Sequence, residues 1–150
     1  MTPAETREWV LKDHQALRAL LDALEELATQ VRDGDRRLLG PLRLEAERFL
    51  HRFDDHTRWE DRHLRPALVE ADAWGRERAE RLDHDHAEQR ELLAASLDRL
   101  RDAERPPVLV ARGVLDLIAL IRTDMAEEEN DLLDPRILRD DVVSIEPEGG

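Results

Sequence analysis

The sequence predicts an all-α fold, an up-down-up-down four-helix bundle. Three observations predict it. Apolar residues recur three and four positions apart over long stretches, the period of an amphipathic helix. Sheet-favouring residues are scarce: aromatics are 3% of the chain, with no Tyr,. Chain breakers are few and clustered, at Asp33-Gly34-Asp35, Gly40-Pro41 and Pro106-Pro107, and they leave long helical stretches joined by short connections,.

The first helix is expected from about residue 4 to 32. Pro3 suits a first turn, and Glu5 and Glu8 favour the N-terminal end. Its stripe is Val10, Leu17, Leu21, Leu24, Ala28 and Val31, with His14 inside it. The second helix starts near Pro41 and runs to about Glu70, with Pro66 expected to kink or end it nearby,. Its seam passes through Leu42, Ala46, Phe49 and Phe53 and then becomes polar at His56, Glu60 and His63. The third helix is expected from Asp72–Arg76 to about Ala103, with Leu82, His86, Leu93 and Leu100 inward and Gln89, Ser96 and Leu97 close by. The fourth runs from Pro106-Pro107 to about Leu133, its stripe being Val110, Val114, Leu117, Ile121, Asp124 and Glu128. The expected division is a bundle over residues 1–135 and a polar tail over 136–150, ordered at first and loose at the end,.

Composition narrows the function. A chain of 150 residues suits one domain with a sizeable core,. The formal net charge of −13 argues against nucleic acid and against an anionic membrane surface,. No stretch approaches a membrane span, and the N-terminus lacks a signal pattern, so a cytoplasmic protein is expected. The absence of Cys excludes disulfides, thiolate metal sites and Cys nucleophiles,.

Each helix carries a polar interruption in its inner seam: His14, His56 with Glu60, His86, and Asp124 with Glu128. Antiparallel neighbours, at about 1.5 Å rise per residue, bring these to one depth. Taken singly, each has a bland explanation. A seam histidine is more often a satisfied core residue, His56 and Glu60 could form a surface i,i+4 pair, and Asp124 and Glu128 could belong to a solvated acidic face with Glu127 and Glu129. The conjunction points to metal binding. Six imidazoles and carboxylates at one level suit two ions, and the sulfur-free donor set points to iron or manganese, with zinc compatible. The halves also look duplicated. Asp13-His14 sits in a nonapeptide resembling the one that contains Asp85-His86, and His56-x-x-x-Glu60 matches Asp124-x-x-x-Glu128. His63 and Asp131 share that face nearer the bundle end, where a supporting role is expected. His51 and His84 lie off the stripe and should be exposed. Arg18 and Arg90, one turn after His14 and His86, are placed to pair with carboxylates. Trp9, Trp59 and Trp74 are expected to pack.

This pattern resembles the hemerythrin-like, or HHE cation-binding, family, whose signature is H…HxxxE…H…HxxxE. Here it reads His14, His56-x-x-x-Glu60, His86 and Asp124-x-x-x-Glu128, over about residues 8 to 135. The resemblance implies a four-helix bundle around a non-haem di-iron centre bridged by the two Glu side chains and an oxygen species. Glu60 and Glu128 would bridge, and His14, His56 and His86 would be terminal ligands. Family members bind oxygen, sense oxygen or iron, or handle peroxide and nitric oxide. One position departs: Asp124 stands where the family has its fourth histidine. A third carboxylate favours the ferric state and harder ions and disfavours reversible oxygen carriage, or leaves a mononuclear or degenerate centre. The third-helix H-x-x-x-H of the oxygen carriers is also missing, since Leu82 and Arg90 flank His86 at four residues.

The expected function is therefore di-metal binding, with dioxygen or peroxide as small-molecule partners and a monomer or homodimer as the assembly. The competing expectation is a metal-free bundle that binds another protein. An enzyme consuming peroxide is a third, weaker reading, because with no Tyr or Cys its chemistry would reside on the metal pair.

Overall fold

In the computed structural model, residues 1–140 are described, and the four expected helices form among them without strands. They are α1 (Pro3–Arg32), α2 (Leu39–Ala71), α3 (Gly75–Arg101) and α4 (Pro107–Asp131). A short 3-10 turn at Arg36–Leu38, not anticipated from the sequence, leads into α2.

Local chemistry sets the boundaries. Thr2 caps α1 by accepting from Glu5 N (3.1 Å), and Glu5 accepts in return from Thr2 N (2.9 Å), a reciprocal capping box with Pro3 in the first turn,. Gly34 turns the chain after α1 with φ of +116°, a region open to glycine at little cost,. Pro66 does not end α2, which continues through it to Ala71. The carbonyl that loses its partner there belongs to Arg62, an exposed residue that water can reach,. Gly75 opens α3 hard against the end of α2: a Cβ there would lie 2.0 Å from Leu68 O.

The helices form a ring in which α1 packs on α2 and α4, and α2 on α3, while α3 and α4 meet over the thinnest seam. The anticipated apolar stripes are the buried ones. They make two clusters. The larger includes Leu17, Leu21, Leu42, Phe49, Phe53, Leu93, Val114, Ile121 and Met125. The smaller comprises Val10, Leu64, Leu68, Leu82, Leu132, Leu133 and Leu138. His14, His56, Glu60 and His86 are buried in sequence between the two clusters on their helices. Packing continues past residue 135: Leu138 is 1% exposed, and Asp140 accepts from Ala4 N at 3.0 Å. The rest of the expected tail, 141–150, lies outside the described residues. Among the described residues no helix is long and apolar enough to cross a membrane.

Candidate metal centre

His14, His56, Glu60 and Glu128 each offer one ligand atom, and these atoms lie within 4.8 Å of one another. Three helices supply them: α1, α2 and α4. His14 Nε2 lies 3.1 Å from Glu128 Oε1, and His56 Nε2 lies 3.4 Å from Glu60 Oε2. His86, from α3, adjoins the group through Nε2, 3.0 Å from Glu60 Oε1. The three imidazoles are 1–2% exposed.

Each imidazole is held from behind in the same manner. His14 Nδ1 lies 2.6 Å from Glu129, His56 Nδ1 2.7 Å from Asp13, and His86 Nδ1 2.6 Å from Asp61. Each of these carboxylates is itself bound by an arginine, respectively Arg18, Arg52 and Arg90. A carboxylate in an arginine pair accepts only, so each Nδ1 carries the hydrogen and each Nε2 is turned to the centre. This is the arrangement a ligating histidine needs.

The electrostatics are those of a site short of positive charge. Burial opposes ionisation of Glu60, but hydrogen bonds from Glu128, His56 and His86 prevail and hold its carboxyl well below the usual range. Glu128 is pushed well above it by burial and by the facing Glu60. Two buried carboxylates share one site and one keeps a proton. Burial lowers His14, and the neighbouring His56 adds to that. Burial would lower His56 too, but hydrogen bonds to Asp13 and Glu60 raise it to about 9. His86 is raised by Glu60 and Asp61 against its burial. The proton on His56 and the raised Glu128 carboxyl stand in for part of the charge that a cation would supply. They leave gaps. Glu60 Oε2 and Glu128 Oε1 are buried and make no well-formed hydrogen bond among the described residues; each faces only an imidazole Nε2, of His56 at 3.4 Å and of His14 at 3.1 Å. Buried carboxylate oxygens are rarely left unpaired, and a metal ion would satisfy both. The donor set therefore fits a cation of the iron, manganese or zinc class.

Asp124 stands apart from this group. It is half-buried, and its recorded partner is Gln89, whose Nε2 donates to it at 3.3 Å. A carboxylate reaches less far than an imidazole, and Glu127, Asp85 and Glu88 crowd it with like charge. His63 lies tilted against Trp59 (centroids 4.5 Å apart, planes at 36°) and is exposed, while Asp131 pairs with Arg81 at 2.7 Å. Neither faces the centre. His51 and His84 are exposed, paired with Glu47 and Glu88 of their own helices. Trp9 and Trp59 stack at 3.6 Å beside His56. Trp74 is 61% exposed and does not pack as expected; it sits at the position before α3, in the α2–α3 turn.

The carboxylates behind the histidines were the functional residues missed from sequence. Their signal was present in the repeat. Asp13 precedes one seam histidine, and Asp61 and Glu129 each follow a seam glutamate.

A bundle with imidazoles and carboxylates converging in its interior defines a class: helical proteins with an internal cation-binding cluster. Comparison narrows the class to a family. The model of the hemerythrin HHE cation binding domain matches residues 6–134, and the chain belongs to that family. Neither the curated proteins nor the solved structures provide a match.

Proposed function

We propose that the chain is a non-haem di-metal protein that carries iron and serves oxygen, peroxide, nitric oxide or iron handling or sensing. His14, His56, Glu60 and Glu128 would hold one ion. His86 and Asp124, with the two glutamates reaching across, would hold the other. When bound, the iron supplies a redox-active Lewis acid for a small ligand. The protein's part is to hold each imidazole with Nε2 inward, to keep Glu60 ionised, and to surrender protons from His56 and Glu128 as the cations enter. The observation that carries this reading is the facing Glu60–Glu128 pair, each with a buried oxygen that makes no well-formed hydrogen bond, ringed by three imidazoles oriented from behind.

The test is metal analysis of protein from iron-replete cells, followed by thermal unfolding with and without chelation. About two irons per chain and a lower Tm after chelation are expected. Metal-free protein whose stability ignores chelation would sink the proposal. Changing His14, His56 and His86 together to Leu gives an independent check. A metal-free scaffold would be equally or more stable with its buried polar groups removed, whereas a holo protein would lose stability and its metal.

A further inference from the structure

A run of aromatic rings leads from the candidate centre to the protein surface. It begins at His56, whose ring lies 6.1 Å from that of Trp9 and within 16° of parallel. Trp9, on α1, covers Trp59, on α2, with ring centres 3.6 Å apart and planes at 10°. Trp59 in turn meets His63 at 4.5 Å, and His63 is exposed. Both indoles are half-buried against the smaller apolar cluster. The run has a second tie to the centre, because Trp59 directly precedes Glu60 in the chain.

Packing alone does not account for the Trp9–Trp59 geometry. Flat rings in contact lie about 3.5 Å apart, so a centre-to-centre distance of 3.6 Å leaves almost no offset,. Aromatic pairs prefer an offset or an edge-to-face contact, with centres roughly 4.5–7 Å apart, because eclipsed rings oppose their negative faces. Removing one electron from the pair reverses that balance. The positive charge left on one indole is attracted by the face of the other, as a cation is by any aromatic face, and eclipsed overlap lets both rings share it. The chain has three Trp and neither Tyr nor Cys, so one-electron donation by a side chain falls first to tryptophan. Trp74, exposed in the α2–α3 turn, stacks on no other ring among the described residues and so provides an internal control.

The geometry points to a one-electron relay: the Trp9–Trp59 pair gives single electrons to the centre when peroxide oxidises it, and regains them at the His63 face from a small reductant in solution. The relay rests on the proposed function in needing iron at the centre, whether one ion or two. Reduction of hydrogen peroxide to two waters consumes two electrons and two protons and breaks the O–O bond. Where the centre gives one electron, ferrous iron becoming ferric, the pair gives the other and becomes a radical cation, while solvent supplies both protons. No hydroxyl radical is then released among the buried imidazoles. A reductant of the ascorbate class returns the electron. It loses one electron and one proton, and the pair is neutral again.

The experiment loads the full chain with Fe²⁺ under argon, measures its iron, adds one equivalent of hydrogen peroxide and freezes the sample for EPR. An indole radical is expected in the wild type and in Trp74→Phe. It should weaken in Trp59→Phe and vanish in Trp9→Phe/Trp59→Phe at equal iron content, and ascorbate added afterwards should quench it. An iron-loaded chain without the radical, with the same radical in the double variant, or with a radical that ascorbate leaves untouched overturns the relay alone. A chain that binds no iron overturns the proposed centre and the relay with it. Metal-free protein gives a second readout, using photo-oxidants of graded strength. Trp74→Phe, which keeps only the pair, should be oxidised by a weaker oxidant than Trp59→Phe/Trp74→Phe, which keeps only Trp9. Equal ease of oxidation would mean that the rings do not share the charge, and would overturn the relay.

Discussion

Asp13→Ala isolates what the buttressing carboxylates do. Asp13 is 12% exposed along its side chain, accepts from His56 Nδ1 at 2.7 Å, and is held by two bonds from Arg52. Burial alone would raise its carboxyl, but the bonds from His56 and Arg52 bring it down to about 2. Truncation has two costs in the metal-free protein. A buried Nδ1–H loses its acceptor, at about 1–3 kcal/mol. The pair with Arg52, which is 35% exposed, adds about 0–1 kcal/mol,. At a midpoint near 2.5 kcal/mol, Tm should fall by roughly 5–10 °C in a chain of this size. Metal affinity should fall by about 10–100-fold, because His56 is then free to turn or to change tautomer. Asp13→Asn supplies the control. Its amide oxygen can still accept from Nδ1–H, so the imidazole keeps its orientation and affinity should stay within about tenfold of wild type. Circular dichroism melts of the apo proteins give the first quantity, and competition with a chromophoric chelator gives the second. Unchanged metal affinity in Asp13→Ala would refute the orienting role. Equal losses in Ala and Asn would assign the effect to charge instead.

Three further outcomes follow from the same structure. Glu60→Ala should abolish binding of at least one ion, whereas His51→Ala, on the exposed face, should leave metal content unchanged; equal metal content in both variants contradicts the assigned site. The apo protein should lose stability as pH rises. His56 has a folded value of about 9 against 6.5 for the free side chain, so its contribution is fully present below 6.5 and is lost through 9,. Denaturant midpoints across that range should decline in the wild type and flatten in His56→Leu, and a flat wild-type profile would show that His56 is not held protonated. Gly75→Ala should destabilise by about 1–3 kcal/mol, since a Cβ 2.0 Å from Leu68 O forces the α2–α3 turn apart,; a urea midpoint matching wild type would mean that the turn yields freely.

The helices and their inward faces were legible because they rest on periodicity, which the chain states openly. His14, Leu17, Leu21 and Leu24 recur at helical spacing and are all buried. The depth of the seam histidines was legible for the same reason, since a fixed rise per residue turns sequence distance into height. The 3-10 turn was not, because it rests on a few local bonds, Asp35 accepting from Arg37 N at 3.2 Å through its side chain and from Leu38 N at 3.3 Å through its carbonyl. The extent of α2 beyond Pro66 was legible, to about Glu70 against the observed Ala71, but the fate of the carbonyl the proline frees was not: whether water replaces the lost bond depends on exposure,. The outer layer of the site was half-written. Asp13, Asp61 and Glu129 lie beside seam residues in sequence, yet each turns to a histidine on a different helix. Adjacency along a helix places a side chain off the seam, at the rim between two helices. Only the packing shows which neighbour it meets.

That rim position explains why the second half of the repeat loses a supported ligand when two positions differ, Asp124 where the first half has His56 and Leu120 where it has Arg52. In the three intact quarters, a carboxylate at the rim is neutralised twice, by an arginine outside and an imidazole inside. Removing only the imidazole would leave the carboxylate paired with its arginine. Removing only the arginine would leave it paired with the imidazole. Here both are gone, at Asp124 and Leu120, so Asp85 faces Asp124 and Glu128 with no positive charge between them. Repulsion of this kind is relieved by protonation, by separation or by a cation. Burial and like charge do raise Asp124, and α3 and α4 do meet over the thinnest seam of the bundle.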